Sequence, residues 1–366
     1  MELLAWVAVL QADRGSVEKG SVVQNETKRA RIAIDAMGGD NAPAEIVAGA
    51  ILAHRDGGVD LALVGDEARI RPLLGEAAGS IEVVHAPGEI AMDAPATQAM
   101  RNARGTSLGQ VVEMVRDGSA DAALSAGNSG AFLAISLVRL RTIPGIARPA
   151  IAAVLPTIGG PFVLCDAGAN VDCRPEWIAQ FGLMGDAYAK IALGIDRPRV
   201  GIISIGEERS KGNQQTLEAA ALLDDAPLNF IGHVEGKDIY EHHADVVVCD
   251  GFVGNVILKT SEGAGQFIST MLREMIDDAS PTGKVGALLL KSSFEKLRAR
   301  LRYDTYGGAP LLGVRGCCIV THGRSNRIAI RNAIRNAKTL AERNLIGTIE
   351  ASLSGTLAIA AAEVNG

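Results

Sequence analysis

The 366-residue chain is 48% hydrophobic and 21% charged, with 42 glycines against only 2 Trp, 4 Tyr and 7 Phe. That composition supplies a large core, and glycine above the ordinary ~7% without a Gly-X-Y period or low-complexity tract excludes collagen-like and disordered classes. A formal charge of -6 gives no general attraction for polyanions, so nucleic-acid binding is excluded as a main role and an anionic partner must meet a local basic patch.

Met1 to Leu10 is apolar but short, carries Glu2, and lacks the basic flank and small-residue cleavage site of a signal peptide. No apolar run reaches the ~20 residues that span a bilayer. Residues 1–29 end in a polar stretch, Gln24 to Arg29, and read as an extension outside the fold. From Arg31, short apolar runs alternate with helical periods: Ile32 to Ile34, then a helix from Pro43; Leu61 to Val64; Ile81 to Val84; Ala122 to Leu124, then Ala131 to Leu140. The series continues through Phe162 to Cys165, Val200 to Ile203, Phe230 to Ile231 and Val246 to Cys249. Continuous apolar strands separated by helices predict an α/β class with a doubly wound, mostly parallel sheet covered on both faces. No repeat or linker divides residues 30–343, which read as one domain, with 344–366 as a C-terminal tail.

The pattern changes after Gly251. Apolar residues at helical spacing predict a long helix over 253–277, a turn at Pro281 and Gly283, and a second helix from about Lys284 to Tyr303. Residues 252–303 thus form a protruding helical hairpin whose second arm is basic.

Glycine and small polar residues cluster where strands end: Asp35 to Asp40 with Gly38 and Gly39; Ser125 to Gly130 with Asn128 and Ser129; Asp166 to Asn170; Gly206 through Lys211, Gly212 and Asn213; and Asp250 to Asn255 with Gly254. In a parallel sheet all five loops are expected at one carboxyl edge, where ligands bind. Their free amide groups suit phosphate or an oxyanion, so Gly38, Gly39, Asn128, Ser129, Gly130, Asn170, Gly206, Gly212 and Gly254 are the candidate phosphate or oxyanion site. A Walker A loop, a G-x-G-x-x-G fingerprint, a G-x-S-x-G elbow and H-E-x-x-H are all missing, which points to a nucleophile carried by the substrate. The five cysteines are scattered and never spaced C-x-x-C, which fits a reducing compartment rather than a disulfide framework or zinc site, and Cys165, Cys249, Cys317 and Cys318, in or beside apolar strands, read as core packing.

The phrases RIAIDAMGGDNAP, ALSAGNSGAFLA, CDAGANVDC, GEERSKGN, ADVVVCDGFVGNVILKTSEG, YGGAPLLGV and THGRSN, in this order, resemble the bacterial phosphate acyltransferase family of phospholipid synthesis over nearly all of residues 31–340. The resemblance implies transfer of a fatty acyl group from acyl carrier protein to inorganic phosphate, giving acyl phosphate for a membrane glycerol-phosphate acyltransferase. It also implies a homodimer, no metal or nucleotide cofactor, and a Rossmann-like fold akin to phosphate acetyltransferases and isocitrate-type dehydrogenases. The chain departs from the family in its 29-residue extension, its apolar tail, and Arg101 to Thr106, where a more lysine-rich stretch is expected. The rival functions are a short-chain phosphate acyltransferase, an NAD-dependent dehydrogenase of related fold, and a non-catalytic scaffold at the membrane surface.

For the transfer chemistry Lys211, the one lysine in a glycine-rich strand-end loop, is assigned to phosphate or the developing oxyanion, against the alternative of a solvated loop lysine. Asn255 offers an amide donor, as do Asn128 and Asn170, each of which equally suits N-capping. His322, beside Gly323, either relays a proton, binds phosphate, or is structural. The stretch 322–343 holds six Lys or Arg against Glu342 alone, and Arg327, Arg331, Arg335 and Lys338 form a stripe expected to receive an acidic carrier protein. The arm 284–303 holds six Lys or Arg against Glu295 alone, and with Leu289, Lys291 and Phe294 it suits peripheral contact with the anionic inner face of the cell membrane from the cytoplasm.

Overall fold

The computed structural model of the chain describes residues 29–295 and 306–354. The first half comprises β1 (Ala30–Asp35), α1 (Ala44–Asp56), β2 (Val59–Gly65), α2 (Glu67–Leu74), β3 (Glu82–His85), α3 (Ala96–Arg101), α4 (Ser107–Arg116), β4 (Ala122–Ser125), α5 (Ser129–Leu140), β5 (Ala150–Pro156), β6 (Pro161–Cys165) and α6 (Pro175–Ala192). There follow β7 (Arg199–Ile203), α7 (Gln214–Asp224), β8 (Asn229–Val234), α8 (Asp238–Glu241), β9 (Val246–Val248), α9 (Gly251–Asp277), α10 (Pro281–Leu289), β10 (Ala309–Leu312), β11 (Cys317–Val320), α11 (Arg327–Glu342) and α12 (Leu345–Ser354). Helix starts fall on short polar side chains that accept a first-turn amide: Thr106, Asn128, Asn213, Asp250 and Asn326 cap α4, α5, α7, α9 and α11.

All strands join one 11-stranded sheet in the order β3-β2-β1-β4-β11-β10-β5-β6-β9-β7-β8. The sheet is mostly parallel, as the apolar strand runs predict. Its centre is not: β10 runs antiparallel to both β11 and β5, and β5 antiparallel to β6. These three reversals leave β6, β9, β7 and β8 running opposite to β1, β2, β3, β4 and β11. The loops after β1 and β4 therefore sit at one sheet edge and those after β6, β7 and β9 at the other, which corrects the expectation of five loops at one edge. The reversal begins in a tight turn, where Thr157 donates its amide to Gly160 O at 2.9 Å, too short a link for a parallel crossover.

Helices cover both faces. On α11, Ala329, Ile330, Ala333, Ile334, Ala337 and Leu340 are buried against the sheet and α1, at roughly 1.5–3 kcal/mol for each large aliphatic side chain removed from water. The fold also runs past residue 343. Helix α12 buries Leu345, Ile349 and Leu353 in the main core beside α6, so the stretch read as a tail contributes core as far as Leu353. The hairpin has α9 as its first arm. Its second arm starts at Pro281, not Lys284, with Ser280 as cap, and α10 ends at Leu289. Lys296, Arg298, Arg300 and Arg302 of the expected basic arm lie outside the described residues, as do residues 1–28 and 355–366.

Candidate active site

A cleft of about 260 Å³ opens on one face of the reversed central strands. Ile151, Ala153 and Leu155 of β5, at alternate positions, form its floor with Ala309 of β10 and Val320 of β11. The small side chains Ala153 and Ala309, with Gly308 beside them, leave the room. One wall is the first turns of α9, presenting Asn255, Leu258, Lys259 and Glu262. Facing them are Ser129 at the start of α5, then Thr321, His322 and Ser325 after β11. Because Ile151 N–H donates to Asp166 and Ala167 N–H to Ile151 O, the loop after β6 is drawn over the β5 end of this floor, bringing Gly168 to the rim. Strand reversal thus lets loops from opposite sheet edges meet in one cleft.

Two buried aspartates organise the flanking loops. Asp166 accepts from the amides of Ile151, Gly168, Ala169 and Asn170 and from the Asn170 side chain, at 2.7–3.1 Å. Asp35 accepts from Ser125 Oγ at 2.7 Å and Met37 N–H at 3.2 Å. Burial pushes both carboxyls up, and the donors around them oppose that shift. Neither lines the cleft. Among the cysteines, burial pushes the Cys173 and Cys318 thiols up to about 12 and those of Cys165, Cys249 and Cys317 well above the ordinary thiol range, so none is a ready thiolate.

The residues nominated from sequence separate into groups. Asn255, His322 and Ser129 come together in the cleft. Lys211 does not line it: it is exposed on the loop between β7 and α7, folded over Gly206, with Gly212 beside it on a second cavity of about 470 Å³ that Asn213, Asp250 and Val253 also border. The amide of Asn128 is spent internally, accepting from Ala131 N–H and donating to Met92 O and Ala94 O, each at 2.9 Å. Asn170 likewise donates to Pro149 O at 2.8 Å and to Asp166. Gly38 is needed for close approach, since a Cβ there would meet Asp35 Oδ2 at 2.5 Å and Gly127 N at 2.7 Å; Gly39 packs on Ala126 and Gly323. Gly254 seats α9 on the loop after β6, a Cβ there reaching 1.8 Å from Asp166 O. Gly130 lies beside Asn128 and Ala96, outside the lining.

His322 Nδ1 accepts from Arg324 N–H at 3.0 Å, which orients the ring. Lys259 and Glu262, both unnoticed in the sequence, form an ion pair at 2.9 Å on the cleft wall. The α11 stripe is not free charge: Arg327 pairs with Glu45 of α1, Arg331 and Arg335 with Asp56, and Lys338 lies 3.9 Å from Glu342. On the hairpin Leu289 is 80% exposed, Lys291 lies 3.9 Å from Glu295, and Phe294 is half-buried. Among the described residues one trio, Asp238, Glu241 and His243, brings metal-type donors within 4.8 Å of one another, and it lies outside the cleft.

A family model described as "Fatty acid synthesis protein" matches residues 30–348. A phosphate acyltransferase of Myxococcus xanthus is 48% identical over 338 residues, covering 91% of this chain and 95% of its own length. One of Thermodesulfovibrio yellowstonii is 46% identical over 329 residues, covering 89% and 95%. Among solved structures, a phosphotransacetylase from Streptococcus pyogenes aligns with a TM-score of 0.60 at 18% identity over 87% of this chain and 95% of that one, and the EutD phosphotransacetylase from Staphylococcus aureus with 0.56 at 16% over 86% and 94%. These two share the fold.

Proposed function

This chain belongs to the fatty acid synthesis protein family of phosphate acyltransferases, and on that premise we propose that it transfers a long-chain fatty acyl group from acyl carrier protein to inorganic phosphate, reversibly. The acyl phosphate would feed a membrane glycerol-phosphate acyltransferase. The observation that carries the reading is the cleft that gathers Asn255, Ser129 and His322 over an apolar floor.

A phosphate oxygen attacks the thioester carbonyl carbon, a C–O bond forms, and the C–S bond breaks. The departing thiol has an ordinary pKa of ~8.5, so it leaves with little acid assistance and alignment supplies most of the acceleration. Asn255 donates its amide to the oxygen that becomes negative in the tetrahedral intermediate. Ser129, on the first turn of α5, brings a helix N-terminus that favours phosphate. His322 takes the proton that the attacking hydrogen phosphate gives up as the C–O bond forms and passes it to the leaving sulfur. The apolar floor receives the start of the acyl chain. Around this site we assign a homodimer, carrier docking on the α11 face, and attachment to an anionic bilayer through Leu289, Lys291 and Phe294. No helix among the described residues is long and apolar enough to cross a membrane.

The test is incubation of purified protein with palmitoyl-acyl carrier protein or acetyl-CoA, each with phosphate, followed by mass spectrometry. Palmitoyl phosphate is the expected product. Acetyl phosphate alone would overturn the long-chain assignment, and no acyl phosphate from either donor would overturn the reading.

A further inference from the structure

Asn255, Lys259 and Glu262 stand four and three residues apart on α9, one stripe of the helix, and all three line the cleft. Lys259 is the one Lys or Arg on that lining among the described residues. Its ammonium lies 2.9 Å from Glu262, and the pair is unevenly exposed, 52% for the Lys259 side chain and 19% for Glu262. The carboxylate is therefore the sheltered partner and the ammonium the one more open to solvent, on a residue that lines the cleft. An ammonium has three donors and the carboxylate occupies one, which leaves two for a ligand.

We propose that Lys259 is the residue that holds inorganic phosphate in the cleft, with Glu262 as a positioning residue that keeps the ammonium aimed there. This rests on reading the cleft as the phosphate acyltransferase site. The charge balance carries it. A phosphate dianion entering the cleft meets Glu262, and only Lys259 offsets that carboxylate; without the lysine the wall is net negative and repels the substrate. The same ammonium, one helical turn from Asn255, also faces the side on which negative charge grows as the carbonyl is attacked, so part of its effect is expected in kcat. Lys211, on another loop and outside the lining, meets none of these conditions.

The test compares wild type with Lys259→Met, Lys259→Arg, Glu262→Gln and Lys259→Met/Glu262→Gln. Inorganic phosphate binding is measured without acyl donor, by calorimetry and by the phosphate-dependent rise in Tm, and KM for phosphate and for acyl carrier protein are measured separately. Lys259→Met is expected to abolish the Tm rise, raise KM for phosphate at least about tenfold and lower kcat, with KM for the carrier protein little changed. Lys259→Arg should restore phosphate binding in part, and the double variant should bind phosphate better than Lys259→Met because the repelling carboxylate is gone. A merely structural ion pair would lower Tm in both single variants and leave phosphate binding intact, which would overturn the proposal, as would equal phosphate affinity in Lys259→Met and wild type. If wild type binds phosphate through Lys259 yet forms no acyl phosphate, the functional reading fails and the assignment of Lys259 stands.

Discussion

Arg331 grips Asp56 with two guanidinium nitrogens, both at 2.6 Å, and Arg335 reaches the same carboxylate at 3.1 Å. The contact ties α11 to α1 across 275 residues of sequence and offsets one of the two positive charges in the middle of the stripe that composition alone presents as bare. The Arg331 hydrogen bonds hold the Asp56 carboxyl below the usual carboxylate range. A depressed carboxyl contributes stability above its unfolded pKa of ~3.9 and loses it as pH falls through the folded value. Asp56→Asn should therefore lower Tm slightly at pH 7, the small effect expected of a partly exposed pair, and the difference from wild type should shrink as pH falls below the ordinary carboxylate range. Equal Tm values at pH 7 would show that the pair contributes nothing to the fold.

The same substitution tests carrier docking. Asp56→Asn leaves Arg331 and Arg335 without their acid and adds net positive charge to the α11 face. If an acidic carrier lands there, KM for acyl carrier protein should fall at low ionic strength and the gain should disappear as salt screens it. A KM that does not move with salt in either protein would place docking elsewhere.

The chain's fold class was legible because strands buried on both faces must be apolar throughout. Strand direction was harder. The reversal at Thr157–Gly160 has a signal, a short Gly-Gly turn between two apolar runs, but β5 (AIAAVLP) follows directly on Pro149 and reads as part of a loop. Once direction is lost, the parallel-sheet rule misplaces the loops after β6, β7 and β9. Glycine-rich loops drew attention to Lys211, whereas Lys259 carries no glycine beside it and stands in the sequence only four residues after Asn255 within the phrase ADVVVCDGFVGNVILKTSEG. The apolar Leu345, Ile349 and Leu353 stand at intervals of four and could have revealed α12, but its C-terminal position favoured the reading of a tail.

Asn255→Ala should lower kcat by roughly 10²-fold, the scale for losing one preorganised donor to an oxyanion, with Tm unchanged because the side chain sits exposed on the cleft wall. His322→Gln should lower kcat less with a thioester whose thiol leaves readily and more with one whose thiol has a higher pKa. Wild-type turnover in both variants would remove these residues from the chemistry.

Two glycines of α9 make a contrast. At Gly263 an added Cβ meets nothing within 4 Å, so Gly263→Ala should raise stability by about 1 kcal/mol, the helix-propensity difference. At Gly254 the added Cβ would lie 1.8 Å from Asp166 O, so Gly254→Ala must lift α9 off the loop after β6. That displacement moves Asn255 and Lys259 relative to His322 and should cost activity even where thermal unfolding shows the protein folded. Denaturation midpoints with parallel turnover assays check both.

The hairpin leaves an apolar surface uncovered in the single chain: Phe267 is 64% exposed, Met271 52%, Met275 61%, Leu288 69% and Leu289 80%. A patch of this kind marks an interface. The residues divide by position, Phe267, Met271 and Met275 along the shaft of α9 and Leu288 and Leu289 near the end of α10. In the homodimer proposed above a second copy of the chain would cover the shaft, whereas the end of α10, followed by Lys291, suits the headgroup region of an anionic bilayer. Phe267→Asp with Met271→Asp should then convert dimer to monomer in sedimentation experiments. Leu289→Glu with Lys291→Glu should leave the dimer intact and abolish co-sedimentation with phosphatidylglycerol vesicles, and in wild type that co-sedimentation should weaken with salt. Vesicle binding that survives the second pair of changes would exclude this end of the hairpin as the anchor, and loss of the dimer in that variant would assign Leu289 to the subunit interface instead.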